Sequence, residues 1–212
     1  NPFKNKIESK LTKNDLVRNM VDKPRLSSTS INRYLECPLK YKYRDIYKIE
    51  ERPDKPFFSL GNTIHKVLEI YHSEGYSTFE DLILLLNTYW NKEGYEFKNE
   101  ETQYREDAEI MLKKYYKYYQ SGDSNVIQTE KYFEFELSNC VLTGKYDRID
   151  ISEDGIIQII DYKTGQKKLT KGEAKKNKQL AIYALYVNQS DQQFDNGKAF
   201  GKIPEKLTYL FL

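Results

Sequence analysis

The stretch that most constrains this chain is GKYDRIDISEDGIIQIIDYKTG, Gly144 to Gly165. Ile156, Ile157, Ile159 and Ile160 read as a buried strand, and it runs directly into Asp161-Tyr162-Lys163. Side chains alternate faces along a strand, so Asp161 and Lys163 share one face and Tyr162 takes the other. Asp147 and Asp150 lie upstream, across a turn. If Glu153-Asp154-Gly155 forms the loop, with Gly155 in the left-handed position, Ser152 pairs with Ile156. Counting back, Asp147 then pairs with Asp161, and two carboxylates and an ammonium project from one patch. A two-residue loop would send Asp147 to the opposite face.

Two carboxylates so close repel unless a cation joins them, and a hard divalent cation with oxygen ligands is the economical partner. Mg²⁺ there would polarise a phosphoryl oxygen and generate hydroxide, while Lys163 orients the water or stabilises developing charge. These are the parts required for phosphodiester hydrolysis. The alternative is an Asp–Lys ion pair at the end of a surface strand, and D-Y-K alone has too little specificity to decide.

At 212 residues the chain is long enough for a substantial core. With 39% hydrophobic and 31% charged residues it reads as soluble and globular. No apolar run approaches the roughly 18 residues that span a bilayer, so no membrane partner is expected. The chain starts on Asn, shows no signal-peptide pattern and stops on the strand-like LTYLFL, which suggests a fragment of something longer. Cys37 and Cys140 are too few for a disulfide framework or a four-thiolate metal site. A reducing, intracellular, cytoplasmic setting is therefore expected. The net charge of +2 announces no nucleic-acid binder. Its distribution is more informative: Lys163, Lys167, Lys168, Lys171, Lys175, Lys176 and Lys178 crowd one segment, opposed only by Glu173. Such a segment attracts phosphate, or is simply a solvated loop; both readings stay open.

Residues 1–25 are polar and aperiodic, a linker or lead-in. Ser27 or Ser28 caps a helix carrying Ile31, Tyr34 and Leu35, which Pro38 ends or restarts. A loop is expected over 50–56. Ile64, Val67, Leu68 and Tyr71 keep the spacing of an amphipathic helix. Thr78 with Asp81 resembles a capping box for a helix through Leu82–Tyr89, and a longer helix is expected at about 100–120. Then the period changes to strands near 130–138, 141–151 and 156–163, followed by a helix through Gln179–Val187 and a strand at Leu207–Leu212. This order indicates an α/β or α+β core with a helical lobe. The tyrosine run in KKYYKYYQ (Tyr115, Tyr116, Tyr118, Tyr119) suits core packing better than base stacking.

These residues resemble a known family. Asp147 followed by Asp161-x-Lys163 resembles the PD-(D/E)xK nuclease motif, and the surroundings resemble its RecB-type branch. SSTSINRYLECPLKYKY is similar to that branch's entry segment, GNTIHKVLE to its Gly-x-x-x-His helix, GKYDRID with IIDYKTG to the central strands, and QLAIY to its Gln-x-x-x-Tyr motif. The match runs in order from Leu26 to the C-terminus, with wording most similar to nuclease domains attached to UvrD-like helicases. The resemblance implies a restriction-endonuclease-like core, a central mixed sheet flanked by helices. Its domain would cover 26–212, with a helical lobe at about 60–122 and the catalytic sheet at about 128–212.

The resemblance also implies site residues. Asp147, Asp161 and Lys163 would be catalytic, and His65, Asp147, Asp161 and the Tyr162 backbone carbonyl would hold Mg²⁺ or Mn²⁺. Gln179 and Tyr183, one turn apart, would contact the DNA backbone or position Lys163; Lys167, Lys168 and Lys171 would hold phosphates. Without the family, His65 reads as a satisfied histidine beside an apolar face. Arg148 is assigned to a salt bridge with Asp150, and Glu130 or Glu134 to an acidic group around the site.

Some relatives carry an iron–sulfur cluster on one early and three late cysteines. Only the early one, Cys37, has a counterpart here, so no cluster is expected and Cys37 reads as a buried apolar residue. No G-x-x-x-x-G-K-[ST] phosphate loop occurs in the sequence. A helicase partner would therefore lie elsewhere in the same chain or on another subunit, delivering single-stranded DNA or unwound duplex. The rival functions are a catalytically silent DNA-binding scaffold of the same fold and a CRISPR-adaptation-type nuclease.

Overall fold

The computed structural model of the protein describes residues 23–49, 55–120, 122, 124–165, 169–175, 177–189 and 204–212. Lys167, Lys168 and positions 1–22 of the lead-in lie outside these residues, as does the side chain of Lys171. The chain divides into two compact units, Asn1–Arg52 with Tyr132–Gly144, and Pro53–Lys131 with Lys145–Leu212.

In the first unit, β1 (Arg25–Ser27) pairs in parallel with the start of β3 (Cys140–Ser152), Leu26 opposite Leu142. Helix α1 (Ser28–Glu36) is capped as the sequence suggests. Ser27 Oγ accepts the Ser30 N–H at 3.1 Å, and Ser30 Oγ accepts the Ser27 N–H at 2.8 Å, so two orphan donors of the first turn are satisfied reciprocally. Pro38 cannot continue α1 but is pre-set for a first helical turn, and α2 (Pro38–Tyr41) starts there. A π-helical turn, Lys42–Ile46, comes next, and Arg33 clamps its Asp45 at 2.5–2.6 Å. Cys37 is half-buried rather than buried, because it is the extended joint between α1 and α2.

The second unit carries the core. Helix α3 (Pro56–Ser73) begins with Pro56 at its first position and buries Ile64, Val67, Leu68 and Tyr71 along one stripe. Helix α4 (Phe79–Tyr89) has the expected Thr78–Asp81 capping box, with the Asp81 N–H on Thr78 Oγ1 at 3.1 Å. Helix α5 (Lys98–Gln120) adds Leu112 and the fully buried Tyr115. Tyr116, Tyr118 and Tyr119 pack partly buried against the same cluster, so the tyrosine run serves the core.

Beyond β1, the sheet is built from β2 (Ser124–Leu137), β3, β4 (Ile157–Lys163) and β5 (Lys206–Phe211). Strand β4 is antiparallel to β3 and parallel to β5, which makes the sheet mixed. The turn between β3 and β4 is the three-residue loop: Ser152 N–H reaches Ile156 O at 3.0 Å, and Gly155 adopts φ 79°. Arg148 lies opposite Ile160 and Ile149 opposite Ile159, the register the sequence required. Helices α6 (Lys171–Lys175) and α7 (Lys178–Gln189) complete the unit, and α7 buries Leu180, Ile182, Tyr183, Tyr186 and Val187. The result is an α/β fold, a mixed sheet flanked by helices, the architecture that the resemblance implies. No described helix is long and apolar enough to cross a membrane.

Candidate active site

Apart from the half-buried Gln158, strand β4 is apolar and buried up to Ile160, a stiff mount for the charged residues at its end. Asp161 is 1% exposed, and its Oδ2 lies 2.5 Å from Lys163 Nζ, two positions on and on the same face. That buried oxygen is held by the Lys163 ammonium, and a carboxylate oxygen has a further lone pair to offer. Tyr162 points the other way into the core. From β3, Asp147 Oδ2 accepts the Tyr162 N–H at 2.6 Å, which locks the two strand ends together. Burial and the neighbouring Asp147 charge push the Asp161 carboxyl up to about 7, against the opposing pull of Lys163.

His65 reaches the same place from α3. Its Nδ1 lies 3.3 Å from Asp147 Oδ1 and 3.0 Å from Glu130 Oε1 on β2. Burial alone would lower the imidazole, yet hydrogen bonds to Asp147 and Glu130 outweigh it and hold the ring at about 10. Gly61, one turn before His65, allows close approach: a Cβ there would meet Thr164 Oγ1 at 3.3 Å. Glu130 stands in left-handed backbone with φ 47°, costly for a side chain with a Cβ, and this kink aims its carboxylate at His65 and Lys145. Lys145 Nζ is 2.7 Å from Glu130 Oε2.

Behind Lys163 runs a relay from α7. Lys163 Nζ donates to Gln179 Oε1 at 3.1 Å, Gln179 Nε2 donates to Tyr183 Oη at 2.8 Å, and Tyr183 donates to the Lys145 carbonyl at 2.6 Å. Burial pushes the Tyr183 phenol far up, so it stays a donor. Helices α3 and α7 and strands β2, β3 and β4 thus converge on one site.

Residues 25–212 match the sequence profile of the PD-(D/E)XK nuclease superfamily. The chain belongs to that superfamily. Among solved structures it is similar to a "putative exonuclease" from Eubacterium rectale, with 17% identity and a TM-score of 0.52 over 95% of this chain and 73% of that one. That likeness is one of fold. No curated protein matches the sequence.

As a PD-(D/E)XK nuclease the chain would take a divalent cation, and its residues fit one. Ligand atoms of His65, Glu130 and Asp147 lie within 4.8 Å of one another, and Asp161, paired with Lys163 through Oδ2, adds a buried carboxylate beside Asp147. One nitrogen and several carboxylate oxygens suit Mn²⁺ or Mg²⁺. Of the residues implied by resemblance, His65, Asp147, Asp161, Lys163, Gln179 and Tyr183 lie in this one place. At Tyr162 the backbone contact with the site is its N–H, on Asp147. Glu130 joins His65 and Asp147 directly, closer in than a surrounding acidic group, while Glu134 pairs with Arg25. Lys145 is a member of the site that the sequence does not announce; nothing in GKYD marks it beyond its charge.

Proposed function

We propose that this nuclease is a metal-dependent deoxyribonuclease of the RecB-like type, working in the cytoplasm beside a helicase in DNA repair or recombination. The observation that carries the reading is the convergence of Asp147, Asp161 and Lys163 on buried strands with His65 from helix α3, where rigid backbone holds them in place. The ordered motifs from the entry segment to Gln179 and Tyr183 support the RecB-like assignment and, with it, a helicase in the same full-length chain or a partner subunit. Mg²⁺ or Mn²⁺ held by His65, Asp147 and Asp161, with Glu130 beside them and the Tyr162 carbonyl as a further ligand, would polarise a phosphoryl oxygen and supply water of lowered pKa.

The protein's own groups do the rest. Water adds at phosphorus and gives up a proton to solvent, the ester P–O bond breaks, the leaving oxygen takes a proton from solvent, and in the transition state charge grows on the phosphoryl and leaving oxygens. Lys163 presents its ammonium to that charge, and the Gln179–Tyr183 relay fixes the ammonium's position so that no reorganisation is needed during the step. Lys167, Lys168 and Lys171 hold the strand through phosphates, so binding should weaken steeply with salt and show little sequence preference.

The test is cleavage of end-labelled single- and double-stranded DNA by wild type and Asp147→Asn, with Mg²⁺, with Mn²⁺ and with chelator. Metal-dependent cutting lost in Asp147→Asn supports the reading. Folded wild type that binds DNA without cutting it under any of these conditions sinks it in favour of a silent scaffold.

A further inference from the structure

A second feature shares the candidate active-site cleft. Phe57 and Phe58, at the start of α3, are 49% and 57% exposed, although rings of this size normally seek burial. Their centroids are 4.4 Å apart, and Lys55 Nζ lies 5.9 Å from the Phe57 ring. Phe58 and His65 are seven residues apart, two helical turns, so they lie on one face of α3, with Asn62 between them. A cleft of about 560 Å³ runs along this face, lined at one end by Phe57 and Phe58 and at the other by His65, Glu130, Lys145 and Asp147. Phe57 and Phe58 stand about 12 Å and about 10.5 Å along the helix from His65, since an α-helix rises about 1.5 Å per residue.

We propose that Phe57 and Phe58 form a stacking subsite for an unpaired nucleobase next to the scissile phosphate, and that this pair selects single-stranded DNA. The inference rests on the nuclease reading and adds a substrate form to it. A phosphate placed at His65 and Asp147 leaves the strand running toward the two rings, past Lys66 and Lys145, which are paired with Glu69 and Glu130 on the cleft wall. Every base has a π-face, so stacking on phenylalanine needs no sequence, but it does need the base to be out of a duplex. Paired bases hide those faces in the helix, so duplex DNA gains nothing from the rings. The charge of the cleft alone would not distinguish the two forms, because phosphates are common to both.

The experiment uses chelator, so that binding is measured without cutting. Fluorescence anisotropy compares a short mixed-sequence single strand with its duplex on wild type and on the Phe57→Ala/Phe58→Ala double variant, with circular dichroism as the check on folding. Single-strand affinity should fall about tenfold to a hundredfold, the loss expected for one stacked base. Duplex affinity should not change, and the Phe57→Tyr/Phe58→Tyr variant should regain the lost affinity. In wild type, 2-aminopurine moved along the strand should be quenched at one position, and the quench should vanish in the alanine variant. Unchanged single-strand affinity, or equal losses on both DNA forms, overturns the subsite while wild-type cleavage leaves the nuclease reading standing. Wild type that neither binds nor cuts either form removes both.

Discussion

Next to the candidate active site, one residue along β3 from Asp147, lies a buried ion pair whose removal has a calculable cost. Arg148 is 1% exposed and Asp150 not exposed at all. Arg148 Nε and Nη2 each reach one carboxylate oxygen of Asp150 at 2.5 Å, its Nη1 donates to Tyr115 Oη at 2.5 Å, and its guanidinium sits 5.1 Å from the Tyr119 ring. Replacing Asp150 with Asn keeps the shape and removes the charge, which leaves a buried guanidinium without its counter-ion. Losing one partner of such a pair costs about 3–5 kcal/mol. Against a typical total stability of about 5–15 kcal/mol this is severe. For a chain of this size each kcal/mol moves Tm by about 2–4 °C, so Asp150→Asn should melt roughly 6–20 °C lower. The assay is urea denaturation followed by fluorescence, with thermal melting alongside. Removing both charges, Arg148→Met with Asp150→Leu, should recover much of the loss, because the buried charge is gone. Recovery should be incomplete, since Tyr115 loses the donor it had in Arg148. A loss below about 1 kcal/mol for Asp150→Asn, the range of an exposed pair, would refute the argument.

Single contacts elsewhere set three more expectations. Gln179→Ala removes the acceptor on Lys163 and should lower kcat by roughly tenfold to a hundredfold with little change in KM, since a hydrogen bond to a charged group is worth about 1.5–3 kcal/mol; a rise confined to KM on labelled single strands would mean that Gln179 binds DNA instead. Burial, helped by the nearby Arg148 charge, lowers His72 to about 3, so below pH 6.5 the unfolded chain takes up a proton that the folded one refuses. The His72 contribution to stability should therefore drain at about 1.4 kcal/mol per pH unit as the pH falls toward 3, opposed above pH 4 by the raised Asp161 carboxyl, and the difference between wild type and His72→Gln in urea midpoint should follow that slope. Glu130→Gln should weaken Mn²⁺ binding in calorimetry by about tenfold or more, with Mn²⁺ held more tightly than Mg²⁺ because one ligand is an imidazole; unchanged binding would place the cation on Asp147 and Asp161 without Glu130.

Most of what is legible in the sequence is decided by local chemistry. Loop length and Gly155 set the β3–β4 register, and with it the shared face of Asp147, Asp161 and Lys163. Ser27 and Thr78 announce their helices because caps satisfy the orphan donors within a turn. Glu130 is harder to find. Glu130, Glu134 and Glu136 alternate along β2 with the same parity, and nothing local says which one meets a histidine 65 positions earlier. Its left-handed φ is imposed by tertiary contacts, on a residue type with no preference for it. The Phe57–Phe58 pair is equally hidden: nothing in the sequence sets it apart from the other aromatics, and only its exposure beside the cleft distinguishes it.

The central claim is that Lys163 acts on the reaction while the carboxylates and His65 hold the metal. The most direct measurement is single-turnover cleavage of labelled single-stranded DNA by wild type and Lys163→Ala, on preparations whose Mn²⁺ affinity is first matched by calorimetry. The account predicts that Lys163→Ala binds metal and DNA yet cuts at least roughly a hundredfold more slowly, the scale of losing one preorganised charge donor. Equal cutting rates at matched metal occupancy would contradict it, and would leave Lys163 as no more than the ion-pair partner of Asp161.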